Sequence, residues 1–285
     1  MADAALPAVS DTARWVAYYR ALESERPDAL FKDSFARRLA GERGQAIAES
    51  MPGGVRGSSW PMVVRTVLID ELVYTSLAEG VDRVLNLAAG LDTRPYRLHL
   101  PPTLSWVEAD LPGLLREKER LLADEKPVCD LRREPVDLLE PSARRAFLER
   151  ALQGCKRALV LTEGLLIYLE PKEVRALGGD LAAQSPIAFW MLDLASPGIL
   201  RMLQRRTASR LGAGAQMKFG PPEGVAFFEA MGWTPVDIRP YLQEGARLHR
   251  LPAFLRLLAP FSKTDPRHPG RRPWSAVVRF GRRPA

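Results

Sequence analysis

The chain has 285 residues, 46% of them hydrophobic and 26% charged, a balance that suits one large globular domain and excludes fibrous and disordered classes. No stretch approaches the roughly 20 consecutive apolar residues of a membrane span, and the acidic N-terminus lacks the apolar core of a secretory signal, so a cytoplasmic protein with no membrane partner is expected. The formal charge of +7 comes largely from arginines at 267–272 and 279–283, without an RNA-binding motif, and reads as a solvated basic surface with no specific nucleic-acid partner.

In chain order, residues 12–26 read as an amphipathic helix after a cap at Ser10 or Asp11, ended by Pro27. A second helix follows over 33–48, then the Gly/Ser loop MPGGVRGSS, then a third helix over 62–79. From there strand and helix alternate. Strands are predicted at 83–88, 104–109, 128–131, 157–162 and 187–194, with helices at 141–152 and 172–184. That alternation predicts an α/β fold: a Rossmann-like, mostly parallel, doubly wound sheet. The β-prone segments 234–238 and 275–280 are expected to close it as an antiparallel C-terminal pair. The whole is one domain, with a helical cap and lead-in over 1–80, a cofactor-binding core over 81–195, a covering insertion over 196–233 and C-terminal strands over 234–285.

Cys129 and Cys155 form no CxxC pair, and His99, His249 and His268 match no ligand spacing, so neither a disulfide framework nor a metal site is expected. The chemistry points instead to the turn after the first strand, in VLNLAAGLDTRPYRL. Open α/β sheets bind ligands at the carboxyl ends of their strands, near the switch in strand order. Ala88, Ala89 and Gly90 are small enough for a ligand to reach the backbone there. Asp110, at the end of the second strand, is placed to accept from ribose hydroxyls. The dinucleotide fingerprint G-x-G-x-x-G is absent, which argues against a nicotinamide enzyme. By themselves these features say only that a nucleotide-type pocket lies here.

The run LNLAAGLDTRPYRL, followed by WVEADLP and Lys118, resembles the leucine carboxyl methyltransferase-like family. That family joins protein C-terminal carboxyl methyltransferases to tetracenomycin-type polyketide O-methyltransferases. The likeness continues in Cys129-Asp130-Leu131-Arg132 and in LTEGLLIYLEP. It extends upstream to TARWVAYYRALESERPDALFKDSFA and Arg65-Thr66, and downstream to FFEAMGW, so it spans residues 12–233.

The resemblance implies S-adenosyl-L-methionine as cofactor. It implies that Arg65 pairs with the methionyl carboxylate and that Ala88 and Gly90 underlie the methionyl and ribose parts. Asp110 would hold the ribose, Asp130 and Leu131 would flank adenine, and Glu163 would face the methionyl ammonium or the substrate entrance. Tyr168 would stand near the transferred methyl, so Tyr168 and Glu163 are the catalytic candidates. Arg14, Tyr18 and Arg20 fall where the family's cap closes. One departure stands out: the family's loop carries glycine where this chain has Ala88, whose methyl restricts φ. The expected activity is O-methylation of a carboxylate or hydroxyl on a small secondary metabolite. The alternatives are a peptide C-terminus as acceptor and a non-catalytic, cofactor-binding homologue. A monomer or homodimer is expected. Arg205, Arg206 and Arg210 could receive an acidic acceptor, although a solvated face is the simpler reading.

Overall fold

The computed structural model describes residues 2–51, 57–207 and 216–282. Seven strands form one sheet: β1 (Arg83–Leu87), β2 (Ser105–Asp110), β3 (Asp130–Pro135), β4 (Ala158–Thr162), β5 (Ile187–Ala195), β6 (Trp233–Pro240) and β7 (Ser275–Arg282). Their order is β3-β2-β1-β4-β5-β7-β6. All neighbours run parallel except β7, which is antiparallel to both β5 and β6. The chain winds from β1 through β2 to β3, then returns to β4 on the other side. The switch point therefore lies where β1 and β4 end side by side.

Buried runs make the sheet. Every residue of β2 and β4 is buried, as a strand covered on both faces requires. On one face Leu85, Val107, Val160 and Trp190 pack with Phe147, Phe228, Trp233 and Phe280. On the other, Val84, Trp106, Leu159 and Met191 pack against Leu68, Ile69 and Leu72 of helix α3 (Trp60–Ala78). Neighbouring residues along one strand thus serve opposite cores.

The helical cap is α1 (Ala2–Ser24) with α2 (Ala36–Ser50), kinked at Gly41, packed through Trp15, Tyr19, Leu39 and Ile47. The expected cap at Ser10 or Asp11 is corrected: the helix is already running there, carried by the alanine-rich start, which favours helix. The third strand is also longer than expected. Its six residues, DLRREP, alternate between exposed and half-buried, so pairing with β2 and the Arg133–Glu108 contact define it, more than any apolar run. Further helices among the described residues are α4 (Arg94–Arg97), α5 (Pro112–Leu121), α6 (Pro141–Ala151), α7 (Pro171–Ala182), α8 (Pro197–Thr207), α9 (Ala226–Glu229), α10 (Tyr241–Arg247) and α11 (Ala253–Leu258). Among the described residues, no helix is long and apolar enough to cross a membrane. The expected loop at 51–59 lies partly outside the described residues.

Candidate functional site

At the switch point the chain leaves β1 and turns back sharply. Ala88 sits at φ 55° and Gly90 at φ 52°. Glycine tolerates that left-handed region, whereas a Cβ costs about 1–2 kcal/mol there. Ala88 is therefore strained as well as bulky. Replacing Ala88 with Gly should stabilise the fold by about 1 kcal/mol in denaturant unfolding and tighten cofactor binding by calorimetry. Unchanged stability together with unchanged affinity would show that the loop absorbs the strain elsewhere.

Asp110 closes this turn from the adjacent strand. Its Oδ2 accepts the Gly90 N–H at 2.7 Å and its Oδ1 accepts the Leu111 N–H at 2.7 Å. Burial pushes its carboxyl above the usual range, against the pull of those two N–H groups. Each oxygen keeps lone-pair capacity for a ligand hydroxyl.

Beside the turn lies a network of buried charges. Arg65, on α3, has Nε 2.8 Å from Glu163 Oε1, although its N–H is not aimed at that oxygen and makes no hydrogen bond. Its Nη1 lies 3.3 Å from Asp193. Arg94 donates to Asp70, Asp92 and Glu163 at 2.7–2.9 Å, and Arg97 binds both oxygens of Asp70. Three guanidinium groups thus face four carboxylates, leaving one negative charge in excess. Burial alone would lower the Arg65 pKa, but Glu163 and Asp193 outweigh it and hold the pKa above the ordinary value. Burial would likewise raise Glu163, yet Arg94 and Arg65 hold its carboxyl below the usual range. Gly164, at φ 66°, presses against Arg65: a Cβ there would stand 3.3 Å from Nη1.

The two residues that the resemblance assigns to adenine, Asp130 and Leu131, lie away from the cavity. Asp130 pairs with Ser105, at the amino end of β2, and is exposed. Leu131 packs among the hydrophobic residues beneath. Neither lines the cavity. A parallel strand offers ligands its carboxyl end, and here that end is Pro135, beside Asp110. Around β3 the sequence holds two Asp-Leu pairs, seven residues apart, and the second, Asp137-Leu138, follows β3 closely and lines the cavity. Val136 N–H donates to the Asp110 carbonyl at 2.9 Å, fixing that segment next to Asp110. Leu138 is held in turn by Arg144, which donates to its carbonyl.

Together these groups line one cavity of about 1050 Å³, at the upper end of the roughly 300–1,000 Å³ typical of one ligand. It has room for a cofactor and an acceptor. Arg65, Ala88, Gly90, Asp110, Glu163 and Tyr168 all face it. The cap closes it from above through Thr12, Trp15 and Val16. Arg20 ties that cap to the turn by donating to the Leu91 carbonyl and to Asp33, and Asp33 also accepts from Thr93. Arg14 is instead paired with Glu117, and Tyr18 lies under Arg37. On the far side α8 contributes Ile199, Met202, Leu203 and Arg206. Arg205 is exposed, and Arg210 lies outside the described residues.

Neither expected catalytic candidate is arranged as a base. Glu163 is clamped between two arginines and weakened as a proton acceptor. The Tyr168 hydroxyl bonds Thr12, and burial raises its pKa. Two donors escaped the sequence reading. Tyr241 Oη and Trp274 Nε1 are buried without a partner and line the cavity. The β6–β7 register, which pairs Pro240 with Ala276, brings them to neighbouring strand ends. Their sequence signal is weak, since both follow or precede strands that carry no motif. The orphaned Arg65 Nε, the ribose-ready Asp110 and the one excess negative charge fit a cofactor with a carboxylate, a ribose and a net positive charge.

Comparison with known proteins agrees with that geometry. The leucine carboxyl methyltransferase family profile matches residues 13–182. A protein of Parafrankia sp. described as an S-adenosyl-L-methionine-dependent methyltransferase is 34% identical over 243 residues, covering 81% of this chain and 78% of its own length. A Streptomyces coelicolor protein with the same description is 32% identical, over 78% of this chain and 82% of its own length. In fold, a DUF574 family protein from Streptomyces avermitilis superposes with a TM-score of 0.59 at 14% identity, covering 96% of this chain and 97% of that one. On these likenesses the chain belongs to the leucine carboxyl methyltransferase family and uses S-adenosyl-L-methionine as a methyltransferase.

Proposed function

We propose that the chain methylates an oxygen, carboxylate or hydroxyl, of a small lipophilic acceptor of polyketide type, as a cytoplasmic enzyme of secondary metabolism. The observation that carries this reading is the acceptor half of the cavity. Most of its wall is apolar, from Trp60, Ile199, Met202 and Met217, with Arg206 beside them, and two unpartnered polar atoms, on Tyr241 and Trp274, include an indole N–H that can only donate. Such a lining suits an apolar body bearing oxygen lone pairs.

S-adenosyl-L-methionine, when bound, supplies a methyl group on a sulfonium. Arg65 would hold its carboxylate, Glu163 its ammonium, Asp110 its ribose, and Asp137 with Leu138 its adenine. The protein's remaining work is positioning: holding an acceptor oxygen in line and keeping water out. Among the groups facing the cavity, Glu163 is held below the ordinary carboxylate range, while burial pushes the Tyr168 and Tyr241 hydroxyls up. None of these three is poised near neutrality, where a general base works best.

A carboxylate acceptor needs no such base. With a lipophilic carboxylic acid, kcat/KM should stay flat between about pH 6 and 9, whereas a phenol should be methylated faster as pH approaches its own pKa. Radiolabelled cofactor offered with lipophilic acids, phenols and peptides with free C-termini tests the assignment. Transfer confined to peptides would move the reading to a peptide carboxyl methyltransferase. Binding of cofactor without transfer to any oxygen acceptor would end the O-methylation assignment.

A further inference from the structure

Four of the large apolar side chains that this fold leaves in solvent fall between residues 254 and 261. Phe254 is 64% exposed, Leu257 75%, Leu258 55% and Phe261 85%. They project from α11 and the short 3-10 turn Ala259–Phe261 that continues it. The segment is well seated: Leu251 and Ala259 are buried, and Gln243 Nε2 donates to the Ser262 carbonyl at 2.6 Å. Its outward face is therefore a feature of anchored structure. Single exposed leucines need no explanation, but a contiguous apolar cluster marks a surface that meets something.

Charge says what it meets. Arg256, within the segment, and Lys263, two residues beyond it, are exposed and pair with no carboxylate among the described residues; Arg271 and Arg272, further along the chain, are likewise exposed and unpaired. Arg267 is paired with Glu229, and His268 lies 3.6 Å from Asp265. Exposed apolar side chains interspersed with unpaired cations along one segment match the boundary of an anionic bilayer, where acyl chains take the first and lipid phosphates the second. The patch also adjoins the cavity, whose wall includes Phe254 and Leu255, so a lipophilic molecule could pass from a bilayer into the site along an apolar path.

We propose that the surface from Phe254 to Phe261 docks this protein on anionic lipid. One short helix and four side chains give weak, reversible attachment, suited to brief visits. The proposal runs against the expectation of no membrane partner, which weighed only spanning segments. It stands whether or not the acceptor is the one proposed above.

The intact chain should co-sediment with vesicles containing about one-third phosphatidylglycerol and not with phosphatidylcholine alone. Binding should fall roughly tenfold in about 1 M salt, where screening shortens the reach of charge to about 3 Å. The double variant Leu257→Glu/Phe261→Glu should lose binding by a similar factor. Neither side chain lines the cavity, so its cofactor affinity, measured by calorimetry, should match the wild type and show that it is folded. Equal binding to both vesicle types, sedimentation with neither, or full binding by the folded variant would overturn the proposal. A dimer in solution that the double variant breaks, without lipid binding, would overturn it in favour of a second copy of this chain.

Discussion

Replacing Asp110 with alanine should lower the affinity for S-adenosyl-L-methionine at least roughly 100-fold. Two effects combine. The ribose loses a charged acceptor, and such hydrogen bonds are worth about 1.5–3 kcal/mol each. The Gly90 and Leu111 N–H groups, now accepted at 2.7 Å, lose their partner, so the turn that receives the cofactor also loosens. Because the ribose stays remote from the transferred methyl, the loss should appear in KM for the cofactor, with kcat nearly unchanged. Asp110→Asn, which keeps one acceptor oxygen, should fall between the two. Ionised Asp110 is the accepting form and its pKa is raised, so wild-type affinity should weaken on acidification earlier than an ordinary aspartate would cause. Calorimetry across pH measures both effects. Affinity of Asp110→Ala within about threefold of wild type would remove this residue from the site.

Arg94→Leu should be the most destabilising single change in the charge network, by about 3–5 kcal/mol. Arg94 is 2% exposed and bridges Asp70, Asp92 and Glu163, which come from three different segments. Arg97 keeps Asp70, Asn86 keeps Asp92, and Arg65 keeps Glu163, but none replaces the central cation. Arg94→Lys should rescue little, since a point charge on a flexible stem cannot reach three carboxylates as a planar fork does.

The sign of the pH effect follows from the same contacts. Burial opposes ionisation of Asp92 and Glu163, but the arginines win and both pKa values lie below their unfolded values. Their stabilisation is present above the unfolded carboxylate range and disappears as pH falls through the folded values. Without Arg94 those values rise, so acid unfolding should begin at higher pH. Urea melts at neutral and acidic pH test this. A loss below about 1 kcal/mol would show that the remaining arginines carry the network.

Much of the fold is legible in the sequence alone. Apolar runs of strand length, alternating with helical periodicity, specify buried parallel strands, because such residues have few other places to go. The turn at Ala88–Gly90 and the acid at Asp110 were equally readable, since a strand end followed by small residues has a local signature. β3 was the strand hardest to place: its polar sequence takes the strand form only because β2 offers an edge.

The site divides along the same line. The local pattern around β1 and β2, with the family likeness, determined the cofactor, the class of fold and most of the groups that face the cavity. Only the tertiary structure decided which Asp-Leu pair around β3 lines the cavity, because strand register, and not composition, sets which end of β3 reaches Asp110. It also decided that Glu163 is locked between Arg65 and Arg94, and that Tyr241 and Trp274 line the cavity. Those facts depend on segments far apart in the chain meeting at strand ends, and sequence periodicity carries no record of such meetings.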